Sequence, residues 1–124
     1  MLKNEFYKII SRKSSEQETI VTVELNAAHF IYQAHFPGNP ITPGVCILQM
    51  IKEITEILCN KNLVMSQAKN IKFVQIINPL AQPEVNFRIT YKISDDEQFV
   101  DVNAQAESNS AVFVKSAIRY KIQA

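Results

Sequence analysis

Alternation between apolar and polar positions predicts six β-strands along this chain. The clearest is residues 19–26, in which Val21, Val23 and Leu25 share one face and polar side chains share the other. Successive side chains on a strand point to opposite faces, so this pattern predicts a strand with one buried face. The alternation slips near Val74, which predicts a bulge. The other predicted strands are residues 5–12, 68–76, 86–93, 99–106 and 111–122.

A different pattern begins at Thr42 and continues to about Asn60. Apolar side chains surround this segment almost completely, which is typical of a buried helix. Thr42 followed by Pro43 predicts the N-cap and the first helical residue. A polar stripe remains at steps of three and four residues, formed by Gln49, Glu53, Glu56 and Asn60.

The order of the predicted elements indicates an α+β fold. Two strands precede a long functional loop at residues 27–43, the buried helix follows, and a four-strand meander completes the chain. The natural packing wraps an antiparallel sheet around the helix. We expect residues 1–124 to form one domain, because 124 residues is a usual size for a single domain.

Composition narrows the function classes. The formal net charge of +1 disfavours strong nucleic-acid binding. No apolar run approaches the roughly 20 residues that a membrane-spanning helix needs, and residues 1–10 are too short and too charged for a secretory signal. Cys46 and Cys59 lie 13 residues apart on one predicted helix, too far to bridge, and no zinc-type spacing occurs. We therefore expect a cytoplasmic protein with reduced cysteines.

The residues with special backbone behaviour are concentrated in one segment, HFPGNPITPGV at residues 35–45. Both glycines of the chain and three of its five prolines lie there, so the path of this loop is closely constrained. The segment begins with His35, whose side chain titrates near neutral pH. It ends at the start of the predicted helix, where backbone N–H groups lack partners. A rigid loop that brings a histidine to a helix N-terminus is typical of an active site.

This segment resembles the HFPG-x-P-x-x-PGV signature of the 3-hydroxyacyl-[acyl-carrier-protein] dehydratases, which have the hot-dog fold. The motif matches closely, the order of elements is similar over the whole chain, and residues 70–73 are weakly similar. The resemblance implies that His35 removes the α-proton of a 3-hydroxyacyl thioester. It implies that the Gly44 N–H binds the thioester carbonyl and that no metal or redox cofactor takes part. We expect three further residues to contact the substrate: Phe36, Ile41 and Val45.

The chain departs from the family at the group that protonates the leaving hydroxyl. In the family a carboxylate stands 14 residues after the histidine, and here that position is Gln49. A neutral amide cannot act as a general acid. Glu53 stands one helical turn further on, where the family usually has glutamine, so Gln49 and Glu53 are both candidate catalytic residues. The alternative is a simple hydrogen bond between these two side chains along the helix.

Three functions follow from these residues. The first is dehydration of a 3-hydroxyacyl thioester to a trans-2-enoyl thioester, in fatty-acid or related lipid or polyketide synthesis. The second is a thioesterase on the same fold, with a water activated by Glu53. The third is a non-catalytic subunit that binds acyl thioesters. The carrier of the acyl group is expected to be an acyl carrier protein or coenzyme A, and Lys52, Lys69 and Lys72 are either its contacts or ordinary surface lysines.

Dimerisation is the remaining expectation from the resemblance. Hot-dog relatives dimerise, and in the dehydratases the histidine and the acid come from different protomers, so we expect a homodimer or higher homo-oligomer with a continuous apolar interface.

Four side chains near the motif have simpler interpretations. Tyr32 and Phe36 are expected to pack the tunnel wall, and His29 to be structural or on the surface. Cys46 is either a small buried residue or a thiol activated by the helix N-terminus.

Overall fold

The computed structural model describes residues 1–123 as a six-stranded antiparallel sheet with two helices. Each predicted strand is found, with ends that differ from the prediction by a few residues in most cases. The long predicted helix is found from Gly44 to Cys59. The elements in chain order are β1 (Tyr7–Ser14), β2 (Thr19–Leu25), α1 (Phe30–Ala34), α2 (Gly44–Cys59), β3 (Asn62–Phe73), β4 (Glu84–Ile93), β5 (Phe99–Ser108) and β6 (Ala111–Gln123).

The order of strands in the sheet is β1-β2-β4-β5-β6-β3. β4, β5 and β6 form a meander, but β3 pairs with β6 at the sheet edge and does not pair with β4. The predicted four-strand meander is therefore wrong for its first strand. Alternation identifies a strand and its buried face, whereas the neighbour of that strand depends on the connection at residues 74–83, which passes β6 and β5 to reach β4 in the interior of the sheet.

β3 also begins earlier and ends earlier than predicted. It shifts register between Met65 and Gln67 and again between Ala68 and Asn70. Just beyond its end, the N–H groups of Val74 and Gln75 both donate to the carbonyl oxygen of Phe113, at 2.7 and 3.2 Å. Two residues facing one is the pattern of a β-bulge, so the predicted slip near Val74 is found in the structure.

The core is one cluster shared by α2 and the inward positions of the strands. Ile51 and Ile54 of α2 are completely buried, as are Val23 of β2 and Phe87 of β4. Burying one such side chain stabilises the fold by roughly 1.5–3 kcal/mol. The helix is less enclosed than predicted, because the Val45 side chain at its start is 74% exposed. Within residues 1–123, no helix has the length and apolar character needed to cross a membrane.

The short helix α1 lies in the stretch predicted to be irregular. Five residues are too few to show a helical period, which is why the pattern of the sequence does not reveal it. His29 is its N-cap, and the Nδ1 atom of His29 accepts a hydrogen bond from the Ile31 N–H at 3.1 Å. His29 is therefore structural, as one of the two interpretations from the sequence has it. The helix ends at His35, which is its C-cap.

Candidate active site

A cleft of about 510 Å³ opens at the N-terminal end of α2. One wall is the motif segment that follows α1, and the other is the chain that follows β3. Of the residues that line it, His35 alone has a side chain that can act as an acid or a base, so the cleft is a largely apolar space with a single group able to transfer protons. The lining residues are His35, Phe36, Ile41, Thr42, Pro43, Gly44, Ile47, Phe73, Val74, Gln75, Ile76 and Ile77.

The backbone of His35 is held on both sides. Its N–H donates to the Ile31 carbonyl at 3.0 Å, and its own carbonyl accepts from the Ile41 N–H at 2.8 Å. Between these bonds the chain turns through Phe36 and Asn39, which exchange two backbone hydrogen bonds, and Gly38 has a φ of 74° that suits glycine. The His35–Phe36 peptide bond is cis. The backbone hydrogen bonds on both sides of this turn hold the loop that presents the imidazole at the cleft.

The N-terminus of α2 has no side-chain cap. Pro43 is the N-cap residue, and the predicted N-cap, Thr42, is wrong. The Thr42 hydroxyl instead forms a hydrogen bond with the Tyr32 hydroxyl at 2.9 Å, and the Thr42 N–H donates to the Ile77 carbonyl at 2.9 Å. Within residues 1–123, the N–H groups of Gly44 and Val45 have no hydrogen-bond partner. Two free donors therefore stand where the helix dipole is positive, and Gly44 lines the cleft.

Gly44 also allows Phe73 to close one side of the cleft. A Cβ atom at position 44 would lie 2.8 Å from the Cζ atom of Phe73, closer than carbon atoms pack. The Phe73 ring therefore lies directly against the backbone at the start of α2. The sequence motif identifies Gly44, but it does not reveal the wall at residues 73–77, because the residues of that wall show only strand-like alternation.

The structure places some of the other predicted contact residues in the cleft and others outside it. Phe36 and Ile41 line the cleft together with His35 and Gly44. Val45 is not among the residues that line this cleft within one chain. Tyr32, which is expected in the wall, lies behind it, 2% exposed, with its ring stacked on Phe6 at 5.0 Å. Burial raises the pKa of Tyr32 to about 12, despite the hydrogen bond with Thr42 that lowers it.

Gln49 and Glu53 lie further along α2 and do not line the cleft that holds His35 of the same chain. Both oxygen atoms of Glu53 are fully occupied. Oε1 accepts from the Lys3 N–H at 2.9 Å and from the Tyr7 hydroxyl at 3.1 Å. Oε2 accepts from the Leu2 N–H at 2.9 Å and from Gln49 Nε2 at 2.7 Å. The hydrogen bond proposed from the sequence as the alternative to catalysis is therefore present.

The Glu53 carboxylate is buried and ionised. The residue is only 1% exposed, because residues 1–6 fold across this face of α2 and form an N-terminal strap. Burial raises the pKa of Glu53, but the hydrogen bonds from Leu2, Gln49, Lys3 and Tyr7 lower it by more, and the net shift is downward. The polar stripe predicted along α2 is thus partly an attachment site for the strap. A carboxylate with four donors has neither a proton to give nor a free lone pair to activate water.

Cys46 is the remaining candidate near the helix terminus. It is 8% exposed, and burial raises the pKa of its thiol. A protonated, buried thiol is a weak nucleophile, so the structure favours the interpretation of Cys46 as a small buried residue. Within residues 1–123, no group of three or more histidine, cysteine, aspartate or glutamate side chains is arranged to hold a metal ion.

An antiparallel sheet wrapped around a buried helix, with a cleft at the helix N-terminus, defines a hot-dog protein. The family model described as ApeI dehydratase matches residues 11–114, and this chain belongs to that ApeI-like family.

The chain is also similar to two enzymes called 3-hydroxyacyl-[acyl-carrier-protein] dehydratase FabZ. The one from Lactiplantibacillus plantarum is 30% identical over 70 residues, and the one from Pediococcus pentosaceus is 26% identical over 81 residues. These matches cover 51% and 60% of this chain, and 48% and 54% of those proteins. The chain thus spans about half the length of these curated relatives.

Two solved structures share the fold. The dehydratase heterocomplex ApeI:P from Xenorhabdus doucetiae matches with a TM-score of 0.65 at 16% identity, covering 91% of this chain and 96% of that chain. A hypothetical thioesterase with coenzyme A from Streptococcus pneumoniae also matches with a TM-score of 0.65, at 10% identity, covering 94% and 85%. At these identities the likeness shows the hot-dog fold and leaves the reaction to be argued from the cleft.

Proposed function

We propose that this chain dehydrates a 3-hydroxyacyl thioester to a trans-2-enoyl thioester, carried by an acyl carrier protein or coenzyme A, in fatty-acid or related lipid or polyketide synthesis. The observation that supports this most is the meeting of His35 and the unpaired Gly44 N–H in one apolar cleft. Dehydration next to a thioester needs a base for the α-proton and a donor for the carbonyl oxygen. The ApeI-like family membership and the names of the FabZ relatives support the same reaction.

The first step is removal of the α-proton. The thioester carbonyl oxygen accepts a hydrogen bond from the Gly44 N–H, and the acyl chain lies along the apolar walls at Phe36 and Ile41. The His35 imidazole takes the α-proton, and the electron pair of that C–H bond moves to form an enolate. Negative charge develops on the oxygen beside the N-terminus of α2, where unpaired N–H groups and the helix dipole stabilise it.

The second step expels the hydroxyl group. The enolate electron pair forms the new double bond as the bond from the β-carbon to oxygen breaks. Because His35 is the only titratable side chain in the cleft and Glu53 is occupied by four donors, we assign the second proton transfer to the imidazolium formed in the first step. It returns its proton to the departing hydroxyl group, water leaves, and His35 is neutral again.

Gln49 and Glu53 have supporting parts in this proposal. In a dimer of the kind that the resemblance implies, a second copy brings its own Gln49 towards the histidine. An amide at that place orients the substrate hydroxyl by a hydrogen bond but supplies no proton. Glu53 fixes which end of the Gln49 amide is free, because the Nε2 atom donates to the carboxylate and leaves the oxygen as the acceptor.

The proposed working unit is a homodimer. β3 is an edge strand, and several apolar side chains on it and just beyond it are exposed: Val64, Met65, Phe73, Val74 and Ile76. An unpaired edge with exposed apolar residues is a ready site for pairing with a second sheet. Sedimentation at micromolar concentration is expected to show a dimer, and a monomer at every concentration would contradict this part of the proposal.

One assay separates the three functions considered. The protein is incubated with a 3-hydroxyacyl thioester of coenzyme A while enoyl absorbance and free thiol are recorded together. We expect enoyl product without thiol release. Thiol release without enoyl product would favour a thioesterase, and neither signal, with binding of the thioester retained, would favour a binding subunit. His29→Asn is the matched control for His35 variants, since asparagine preserves the N-cap and His29 does not line the cleft.

A further inference from the structure

The helix that ends at His35 is too short to be stable by itself. α1 has five residues, whereas isolated helices shorter than about 12–15 residues are marginal in water. Its stability must therefore come from contacts with the rest of the fold, and Tyr32 is its buried residue. His35 is the C-cap of α1, and its N–H donates to the Ile31 carbonyl within the helix at 3.0 Å. A shift of α1 would therefore move His35 as well.

The Tyr32 side chain is held at both ends. Its ring stacks on the ring of Phe6, with 5.0 Å between the centroids and 18° between the planes. Phe6 is completely buried, and a stacked aromatic pair stabilises more than the burial of its area alone. The Tyr32 hydroxyl forms the hydrogen bond with Thr42 at 2.9 Å. The place of α1 thus depends on Phe6 at the ring and on Thr42 at the hydroxyl.

Phe6 is itself fixed, because it belongs to the N-terminal strap. Its N–H donates to the Leu2 carbonyl at 2.8 Å, and its carbonyl accepts from the Asn26 N–H at 2.9 Å. The Leu2 N–H donates in turn to the Glu53 carboxylate at 2.9 Å. Two hydrogen bonds and one residue therefore connect the buried carboxylate of α2 to the backbone of Phe6.

We propose that Phe6 is a positioning residue for the reaction: by stacking on Tyr32 it fixes α1, and through α1 it sets the position of His35 relative to the N-terminus of α2. Phe6 is not among the residues that line the cleft, so it acts only through α1. The reaction concerned rests on the proposed function, whereas the effect of Phe6 on His35 does not. The N-terminal strap then contributes to the active site as well as covering α2.

The test compares Phe6→Leu with Phe87→Leu. Phe87 is another completely buried phenylalanine, which lies in β4 and does not line the cleft. The same substitution at both positions removes an aromatic ring from the core, so both variants lose stability, but only Phe6→Leu removes a contact with α1. If either variant is partly unfolded, sucrose favours its folded state during the measurements.

The first readout is the kinetics of dehydration with a 3-hydroxyacyl-coenzyme A. In Phe6→Leu, kcat is expected to fall by about 10- to 10²-fold, because a misplacement of about 1 Å can cost that much. KM is expected to stay near the wild-type value, since the cleft walls are unchanged. Phe87→Leu is expected to keep both constants of the wild type. An equal fall in kcat in the two variants, or a rise in KM with kcat unchanged in Phe6→Leu, would overturn the proposal.

The second readout is hydrogen exchange of the His35 amide, followed by NMR without substrate. Loss of the stacked pair is expected to speed this exchange by about threefold to tenfold in Phe6→Leu. Phe87→Leu is expected to leave it unchanged. Faster exchange in Phe6→Leu, with no dehydration even by the wild type, would support the positioning of His35 and contradict the proposed function. The proposal is overturned if exchange of the His35 amide is the same in Phe6→Leu and the wild type.

Discussion

Two polar places along α2 differ in how completely their hydrogen bonds are satisfied. At the start of the helix, Gly44 and Val45 offer two N–H groups with no partner within residues 1–123, beside a histidine in a cleft. Further along the same helix, Glu53 accepts four hydrogen bonds and is buried under the N-terminal strap. The N-terminus of α2 therefore has N–H donors available to a ligand, whereas the Glu53 carboxylate has no free acceptor.

The difference teaches how to separate a functional group from a structural one on the same helix. The first N–H groups of a helix have no partner within the helix, so one that lies at a cleft is available to a ligand carbonyl. A carboxylate with both oxygens filled is already performing a task, here the attachment of residues 1–6 to the helix. Residue type alone favours Glu53 as a catalytic group, and its partners in the structure indicate a structural one.

The largest expected effect is that of His35→Ala. The rate of dehydration should fall by about 10²–10⁴-fold, the range for loss of a proton-transfer group. The melting temperature should change little, because His35 is exposed and its side chain lines an open cleft. Enoyl absorbance and thermal unfolding measure the two quantities. A fall in activity matched by a large fall in melting temperature would indicate a structural role for His35.

Glu53→Gln should act in the opposite way, on stability first. An amide in place of the carboxylate loses charge-assisted hydrogen bonds and turns an NH₂ group towards donors, at a cost of about 2–3 kcal/mol in the free energy of unfolding. Denaturant unfolding measures this. Glu56→Gln is the matched control, because Glu56 is half-buried and accepts one backbone hydrogen bond, from the Leu63 N–H. Equal, small losses for both variants would contradict the attachment role of Glu53.

Gly44→Ala tests how closely Phe73 closes the open end of the helix. The new Cβ atom would lie 2.8 Å from the Phe73 Cζ atom, so the ring must move. Because the ring is half exposed and can swing, we expect a loss of about 1 kcal/mol. Adding Phe73→Leu to this variant should recover most of that loss in thermal unfolding. Destabilisation that Phe73→Leu leaves unchanged would show that position 44 is restricted for another reason.

The smallest expected effect is on the pH dependence of stability. The pKa of Glu53 is lower in the folded protein than its usual value of 4.5. Its contribution is therefore present above about pH 4.5, and it is lost as the pH falls through the folded-state pKa. The pKa values of Asp96 and Asp101 are lowered too, so the useful quantity is the difference between wild type and Glu53→Gln. That difference should shrink below about pH 4.5, and a difference independent of pH would be evidence against an ionised Glu53.

Periodicity predicts the elements of this fold better than their arrangement. The period of α2 and the alternation of β2, β4, β5 and β6 depend on which faces are buried, and each strand or helix carries that information in its own residues. The place of β3 beside β6 depends on a connection between distant segments, which no local pattern encodes. The helix α1 is too short to show a period.

In the candidate site, too, the sequence predicts some of the residues and not others. The motif carries His35 and Gly44, because a fixed backbone path needs glycine and proline at particular positions. Tyr32, Phe73 and the strap over Glu53 are long-range contacts, and nothing in their immediate neighbours in sequence marks them. Thr42 shows the limit most clearly: its local signal is that of an N-cap, but the N-cap is Pro43, one residue later, and the Thr42 hydroxyl is hydrogen-bonded to Tyr32 of α1.

The most direct test of this comparison between the N-terminus of α2 and Glu53 is an NMR titration with a saturated acyl-coenzyme A. We expect the Gly44 and Val45 amide signals to shift and their hydrogen exchange to slow as the thioester carbonyl binds. The Leu2 and Lys3 amides, already bound to Glu53, should stay unchanged. Binding that leaves Gly44 and Val45 unperturbed, or that perturbs Leu2 and Lys3 in their place, would contradict the assignment of the α2 N-terminus as the acyl-thioester site.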